Sequence, residues 1–428
     1  MTARNVVIVG TGGRAIGSFI KPLATEFGNN VKVVGLYDIN PARIKSAQKI
    51  METDIPEFDN FETMLETTGA DSVVVCSIDS THAEYVTKAL DKGLDVFSEK
   101  PLCTTFEQVL AIRKVAEKSS GSGLVTHNMR FGSNAVMIKK MIQDGKLGKI
   151  LHIQFSEYLD RYHGADYFRR WHRKKENSGG LLLQKSSHHF DFINWVADSK
   201  PIRVTGLGRL AFYGKNGKFH GERCSNCEYA NSCELYADVF IKDNMQTLYH
   251  DAEHEDGYFR DACVFGPEID ITDTINSSIT YENGIETSYS LIAYASYEGM
   301  DVHIEGTHGR LDLQIRYNTS WAVGHKDADT NDEGMANDGE NAEDIDSLKF
   351  YKPDGEMEDL TQQKVEGGHG GSDPALRKML FGPEEIPDPL GQKAELEEGI
   401  QAVLVGIATN KSVELGGKPI NPQTMEIL

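Results

Sequence analysis

The chain has 428 residues, 39% of them hydrophobic and 25% charged, a balance that supports buried cores and excludes wholesale disorder. A formal charge of −21 leaves no basic stripe for a phosphate backbone, which excludes nucleic acid as a partner. The length predicts two or three domains, two being preferred; with no leader pattern and no apolar run near the roughly 20 residues of a bilayer span, a cytoplasmic protein without membrane association is expected.

In chain order, NVVIV (5–9), VKVVGLY (31–37), SVVVC (72–76) and LDVF (94–97) are short β-branched runs separated by helical stretches. LVTHNMR closes the series at about residue 127. This βαβ pattern predicts an α/β fold with a parallel, doubly wound Rossmann sheet over 1–127, binding ligands at the carboxyl ends of its strands. Between the first two runs lies Gly10-Thr11-Gly12-Gly13-Arg14-Ala15, a G-x-G-x-x-A loop opening a helix. Gly10 makes the turn, Gly12 lets the backbone approach a pyrophosphate, Ala15 lets the helix pack closely, and Thr11, Gly13 and Arg14 complete the loop. Asp38 ends the second run, where a carboxylate accepts from a ribose diol and repels a 2′-phosphate. With Ile39 and Asn40 next and no Arg directly after, NAD is predicted over NADP. The plain alternative is a glycine-rich turn beside a solvated Asp.

Past residue 150 the runs lengthen and alternate: ILHIQFSEYL, RVTGLGRLAFYG, NSSITYENG, ETSYSLIAYAS and VHIEGTHGRLDL. They predict a second, α+β domain over 128–428 with a large, mostly antiparallel open sheet. From Glu157 to Arg173 aromatic and hydrogen-bonding side chains gather in a stretch with little periodicity. Tyr158, Asp160, His163, Tyr167, Arg169, Arg170, Trp171 and His172 are candidates to hold a sugar, whose apolar face suits flat rings and whose hydroxyls need fixed donors and acceptors. A solvated connection is the competing reading. Cys224, Cys227 and Cys233 form C-x2-C-x5-C, a candidate structural zinc site needing a fourth ligand from Cys263, His220, His250 or His254; the alternative is free thiols. Cys76 and Cys103 are read as inert core thiols. The acidic, Gly/Asn-rich residues 327–346 predict a mobile loop. Gly367 to Pro374 is either a substrate lid or a connection in which Asp373 caps the next helix. A helical pattern ends the chain.

Glu99-Lys100-Pro101, after LDVFS, resembles a signature of the Gfo/Idh/MocA family of glucose-fructose oxidoreductases and inositol dehydrogenases. The glycine-rich start, Cys76-Ser77-Ile78-Asp79 to His82, Asn128-Met129-Arg130, DGKLGKI, GTHGRL and the final helix are also similar, so the resemblance covers nearly the whole chain. It implies NAD(P)-dependent oxidation or reduction of a secondary alcohol on a sugar or cyclitol. It also implies a C-terminal helix rejoining the first domain, dimers or tetramers through the open sheet, and cofactor contacts from Ser77, Asp79, His82, Glu99, Lys100 and Asn128.

Gly179 to Asp191 resembles the family's second signature, with His188 in the histidine position. Gln184 stands where the family usually has Asp, so the Lys-Asp-His arrangement is altered; a subset with Lys-Ser and paired His is closer. Helical spacing predicts Gln184, Lys185, His188 and Asp191 on one polar face, with His189 beside it. Alcohol oxidation needs a base for the hydroxyl proton and a cation for the developing alkoxide. His188 is the expected base, Lys100 the expected cation, and Lys185 or Lys100 the ammonium keeping His188 neutral. Gln184, Lys185 and His189 are further candidates for substrate contact. Two ordinary helix histidines are the bland alternative. Beside simple dehydrogenation stand a redox-neutral glycosidase working by transient oxidation and elimination, and a non-catalytic NAD-binding regulator.

Overall fold

The computed structural model describes residues 3–240, 243–317, 345–362, 371–383 and 386–428. The expected mobile loop over 327–344 and the glycines at 367–370 lie outside these. Residues 345 and 346, taken as part of that loop, instead open a strand.

The first sheet has seven strands in the order β15-β6-β5-β4-β1-β2-β3. They are β1 (Arg4–Val9), β2 (Val31–Tyr37), β3 (Glu57–Phe58), β4 (Ser72–Val75), β5 (Asp95–Ser98), β6 (Gly123–Val125) and β15 (Ala394–Glu395). The first six run parallel; β15 is antiparallel to β6. All four residues of β4 and Val6–Val9 of β1 are buried, the continuous apolar run of a sheet covered on both faces. Strand order reverses between β1 and β4, and the crevice beyond their carboxyl ends is the expected ligand site. Here Gly10 has φ +85°, and a Cβ on it would lie 2.5 Å from the Cys76 carbonyl oxygen. Only glycine fits where the two loops touch.

The second sheet is ordered β14-β13-β12-β11-β7-β10-β9-β8. Its strands are β7 (Ile150–Asp160), β8 (Pro201–Arg209), β9 (Thr274–Tyr281), β10 (Glu286–Ala295), β11 (Glu298–Gly306), β12 (Gly309–Tyr317), β13 (Ile345–Tyr351) and β14 (Met357–Asp359). Only the β7–β10 pair is parallel. Along β9 and β10 buried and outward residues alternate, so one face packs on the core and the other is open. Helices Ser186–Ala197 and Leu396–Glu414 pack together, the latter lying on β8. The final helix begins at β15 and contacts β6, so the chain end does return to the first sheet. Among the described residues no helix is long and apolar enough to cross a membrane.

Behind the helix Ser186–Ala197, Arg130 is 1% exposed and doubly hydrogen-bonded to Asp191, at 2.7 and 2.8 Å; it also donates to Glu398 at 2.9 Å. Removing one partner of such a pair strands a buried charge. Asp191→Ala is therefore expected to lower unfolding free energy by about 3–5 kcal/mol, measured by denaturant titration.

Candidate active site

One cavity of about 590 Å3 opens where the carboxyl ends of the parallel strands meet the second sheet. Its cofactor end is walled by Gly10, Gly12, Arg14, Asp38, Ser77, Asp79, His82, Glu99, Lys100 and Asn128. Thr11 and Gly13 are not on the wall. Thr11 is buried and donates from its amide (2.7 Å) and hydroxyl (3.1 Å) to Asp38, bracing the carboxylate. Gly13 donates its amide to Tyr249 at 3.0 Å. His82 bridges the Pro101 and Ser77 carbonyls at 2.7 and 2.9 Å and ties the loops after β4 and β5 together; burial holds its pKa down. Arg14 pairs with Glu99 at 2.8 Å and with Asp373 at 3.4 Å, and Asn128 donates to Asp373 at 2.8 Å. Asp373 therefore binds two of the expected cofactor residues, Arg14 and Asn128, rather than capping its helix, whose N-cap is Gly371.

These residues fit a dinucleotide: glycines where it must come close, a braced carboxylate at the ribose end of β2, and an amide at a helix start. An arginine does reach the wall, five positions past Asp38. Arg43 is spent on Asp256, at 2.7 Å, and lies 5.9 and 5.5 Å from the ring centroids of Tyr249 and Tyr258. With Arg43 paired to Asp256, a preference for NAD set by Asp38 is the expectation to test. NADP is expected to bind at least about tenfold more weakly than NAD by calorimetry.

At the other end the predicted helix is broken. Leu181–Gln184 and Ser186–Ala197 are separate helices with Lys185 between them. The break leaves the Gln184 carbonyl without a helical partner, and Lys100, 4% exposed, donates its Nζ to it at 2.9 Å. His188 lines the cavity near Lys100. Its pKa is held well below the ordinary value, first by burial, then by Lys100, His127 and Lys185. Asp191 does not join this patch, being held by Arg130. His127 was not anticipated: its ring is edge-on to His188 at 5.9 Å, and burial pushes its pKa down to about 4. It lies two residues past β6, where pattern alone gives no sign of chemistry.

Lys185 pairs with Glu157 at 3.3 Å, and its pKa is raised by Glu157, Tyr167 and Glu298 against the burial that opposes them, so it is a fixed cation. Burial pushes Glu157 up to about 7, with Lys185 opposing. His189 also lines the cavity, with Nε2 3.5 Å from Glu157, while Nδ1 hydrogen-bonds the Tyr289 hydroxyl at 2.9 Å and the ring stacks on Phe155 at 4.6 Å.

The aromatic stretch is not irregular: β7 runs to Asp160, and a helix spans Arg161–Arg169. His163, Tyr167, Arg170, Trp171 and His172 reach the cavity. Tyr158, Asp160 and Arg169 do not line it. Tyr158 packs on Tyr297, Asp160 caps the helix by accepting from the amides of Tyr162 and His163, and Arg169 turns away to Cys224 and the Leu235 carbonyl. From elsewhere in the chain come Glu298 of β11, which pairs with His163 at 2.8 Å, and Asn134 of the helix Ser133–Gln143, which donates to Asp346 of β13 at 2.7 Å. Asn134 Oδ1, Glu157 Oε2, His172 Nδ1, Gln184 Oε1 and His188 Nδ1 are buried without hydrogen-bond partners, and all five residues line the cavity.

Cys224, Cys227, Cys233 and Cys263 surround a separate cavity of about 20 Å3. The expected zinc site is not formed: among the described residues no group of three or more His, Cys, Asp or Glu side chains is disposed to hold a metal ion. Arg169, 4% exposed, places Nη1 3.1 Å from the Cys224 sulfur, where a guanidinium opposes a dication. His250 and His254 engage their own neighbours, Asp251 and Glu255. Cys103 is an inert core thiol, its pKa pushed up to about 12 by burial, but Cys76 is on the main cavity wall rather than in the core.

Residues 4–127 match an oxidoreductase family with an NAD-binding Rossmann fold, and residues 139–421 match the C-terminal alpha/beta domain of that family. The chain is 33% identical over 430 residues to the putative oxidoreductase YteT of Bacillus subtilis (strain 168), covering 96% of both. It is 25% identical over 181 residues to an inositol 2-dehydrogenase of Rhizobium meliloti (strain 1021), which covers 42% of this chain and 52% of that enzyme. Among solved structures, levoglucosan dehydrogenase in complex with NADH and levoglucosan shares the fold, with a TM-score of 0.67 over 98% of this chain and 99% of that one at 15% identity.

Proposed function

We infer that this chain, which belongs to the Gfo/Idh/MocA oxidoreductase family, is an NAD-dependent dehydrogenase that oxidises a secondary hydroxyl on a sugar, cyclitol or glycoside. The observation that carries this reading is the single cavity running from Asp38 to His188, with unpartnered polar atoms at its far end. A ligand rich in hydroxyls satisfies such atoms; an apolar one would leave them unpaired. The relatives named for inositol and levoglucosan support the same substrate class.

The nicotinamide, when bound, supplies the hydride acceptor. His188 takes the hydroxyl proton on its neutral ring, Lys100 offsets the charge left on oxygen, and Gln184, which cannot titrate, orients the substrate. Lys185 holds Glu157 in place and adds positive charge. Because the acting form of His188 is neutral and its pKa is lowered, that form is complete at and above about pH 6.5 and lost only as pH falls through the lowered value. kcat/KM is thus expected to stay level between pH 8 and about 6.5; a fall centred near 6.5 would point to an unperturbed histidine.

A redox-neutral glycosidase remains the second reading, favoured by Glu157, a buried carboxyl poised near 7 on the same cavity. Elimination from a ketone intermediate needs a second base for the acidified C–H. With a panel of sugars, cyclitols and glycosides, net accumulation of reduced nicotinamide supports the first reading. Aglycone release without it supports the second. A non-catalytic regulator is disfavoured by Lys100 and His188 sharing one cavity. A homodimer or tetramer through the second sheet, the assembly that the family resemblance implies, is measurable by light scattering.

A further inference from the structure

Strands β8 and β9 pair directly, with Arg209 opposite Thr274, and such neighbours normally need only a short turn. Here the connection, described over 210–240 and 243–273, leaves the second sheet and reaches the first domain. Met245, Leu248 and Tyr249 are buried in the apolar cluster that holds Ile8 of β1 and Phe19 of the helix after the glycine loop. Ser46 donates to the Thr247 carbonyl at 2.9 Å, Asn40 to the Ala252 carbonyl at 3.0 Å, and Arg43 pairs with Asp256 at 2.7 Å. These three anchors lie just after Asp38, at the adenosine end of the groove. Tyr249, Asp256 and Tyr258 stand on the wall of the cavity that also holds Lys100 and His188.

The Tyr249 hydroxyl accepts the Gly13 amide at 3.0 Å, at the helix start that faces the pyrophosphate in a Rossmann site. A phenol oxygen that accepts an amide hydrogen can still donate its own to an anion. We propose that residues 243–258 are a cofactor-binding strap from the second domain: Tyr249 hydrogen-bonds the pyrophosphate and the Arg43–Asp256 pair closes over the adenosine half, so that NADH is released slowly after each turnover. The proposal rests on dinucleotide binding by the first domain. It also bears on cofactor choice, since Asp256 neutralises the cation best placed to meet a 2′-phosphate.

The test is calorimetric affinity for NAD and NADP, with stopped-flow release of NADH followed by fluorescence, on the full chain and on Tyr249→Phe and Asp256→Ala. Tyr249→Phe keeps the ring and its packing; it is expected to weaken NAD binding about tenfold with an unchanged melting temperature, the effect of one hydrogen bond to a charged group. Asp256→Ala is expected to speed NADH release about tenfold and to narrow the gap between NAD and NADP. Unchanged affinity and release in both variants would overturn the proposal, as would tighter NAD binding by Tyr249→Phe, which would make the tyrosine a plug. A wild-type chain that binds no NAD would overturn the dinucleotide reading itself.

Discussion

His188→Ala is expected to lower turnover at least about a hundredfold while changing NAD affinity little. That is the usual scale for losing a positioned acid-base group. His188 stands on the second domain, beyond the glycine loop and Asp38, so the lesion should fall on chemistry rather than on dinucleotide binding. Its neighbour is the sharper control. His189 is hydrogen-bonded to Tyr289 and stacked on Phe155, so His189→Ala should cost stability before it costs rate. Gln184→Ala should cost less turnover than His188→Ala, because an amide orients but cannot accept a proton. Near-normal turnover in His188→Ala with a large loss in His189→Ala would reassign the base.

Lys100→Met is expected to lower turnover by a similar factor, about a hundredfold or more, for two reasons. It removes the ammonium beside the developing alkoxide. It also removes the cation that does most, after burial, to hold His188 below its ordinary pKa. With less repulsion that pKa rises, so the neutral form is lost at a higher pH, and the acid limb of the residual activity should move up relative to the wild type. A drop in rate with an unmoved limb would mean that Lys100 acts on the alkoxide alone. Because Lys100 ends a Rossmann strand, some loss of NAD affinity is expected here, unlike in His188→Ala.

How much of this was readable beforehand follows the range of the interactions. Five strands of the first sheet were readable because burial on both faces leaves uninterrupted runs such as SVVV, and the glycine loop because its backbone demands are local; β3 and β15, two residues each, carry no such run. The alternating strands of the open sheet were visible for the same local reason, except β13, whose first residues continue an acidic run, and β14, three exposed residues with no apolar alternation. The final helix rejoining β6 followed from family resemblance, not from its own pattern. What failed was decided by partners far away in the chain. Asp191 has the helical spacing to face His188 but is held by Arg130 on the other side. Arg169 sits among candidate sugar residues yet turns to Cys224. The break at Lys185 reorganised the predicted face, since Gln184 offers Lys100 a backbone carbonyl as well as a side chain. The docking of residues 243–258 on the first domain left no local trace, because its anchors are single side chains such as Ser46 and Asn40 meeting backbone carbonyls.

The central claim is that a substrate carbon gives its hydride to a nicotinamide held in this cavity, with His188 taking the proton. The most direct measurement is a single turnover of the NAD-loaded chain on its best sugar or cyclitol, deuterated at the reacting carbon. Deuterium appearing on the nicotinamide, with a primary isotope effect and a loss of at least about a hundredfold in rate for His188→Ala, is the predicted result. Product formation with no deuterium on the nicotinamide, or an unchanged rate in His188→Ala, would contradict it.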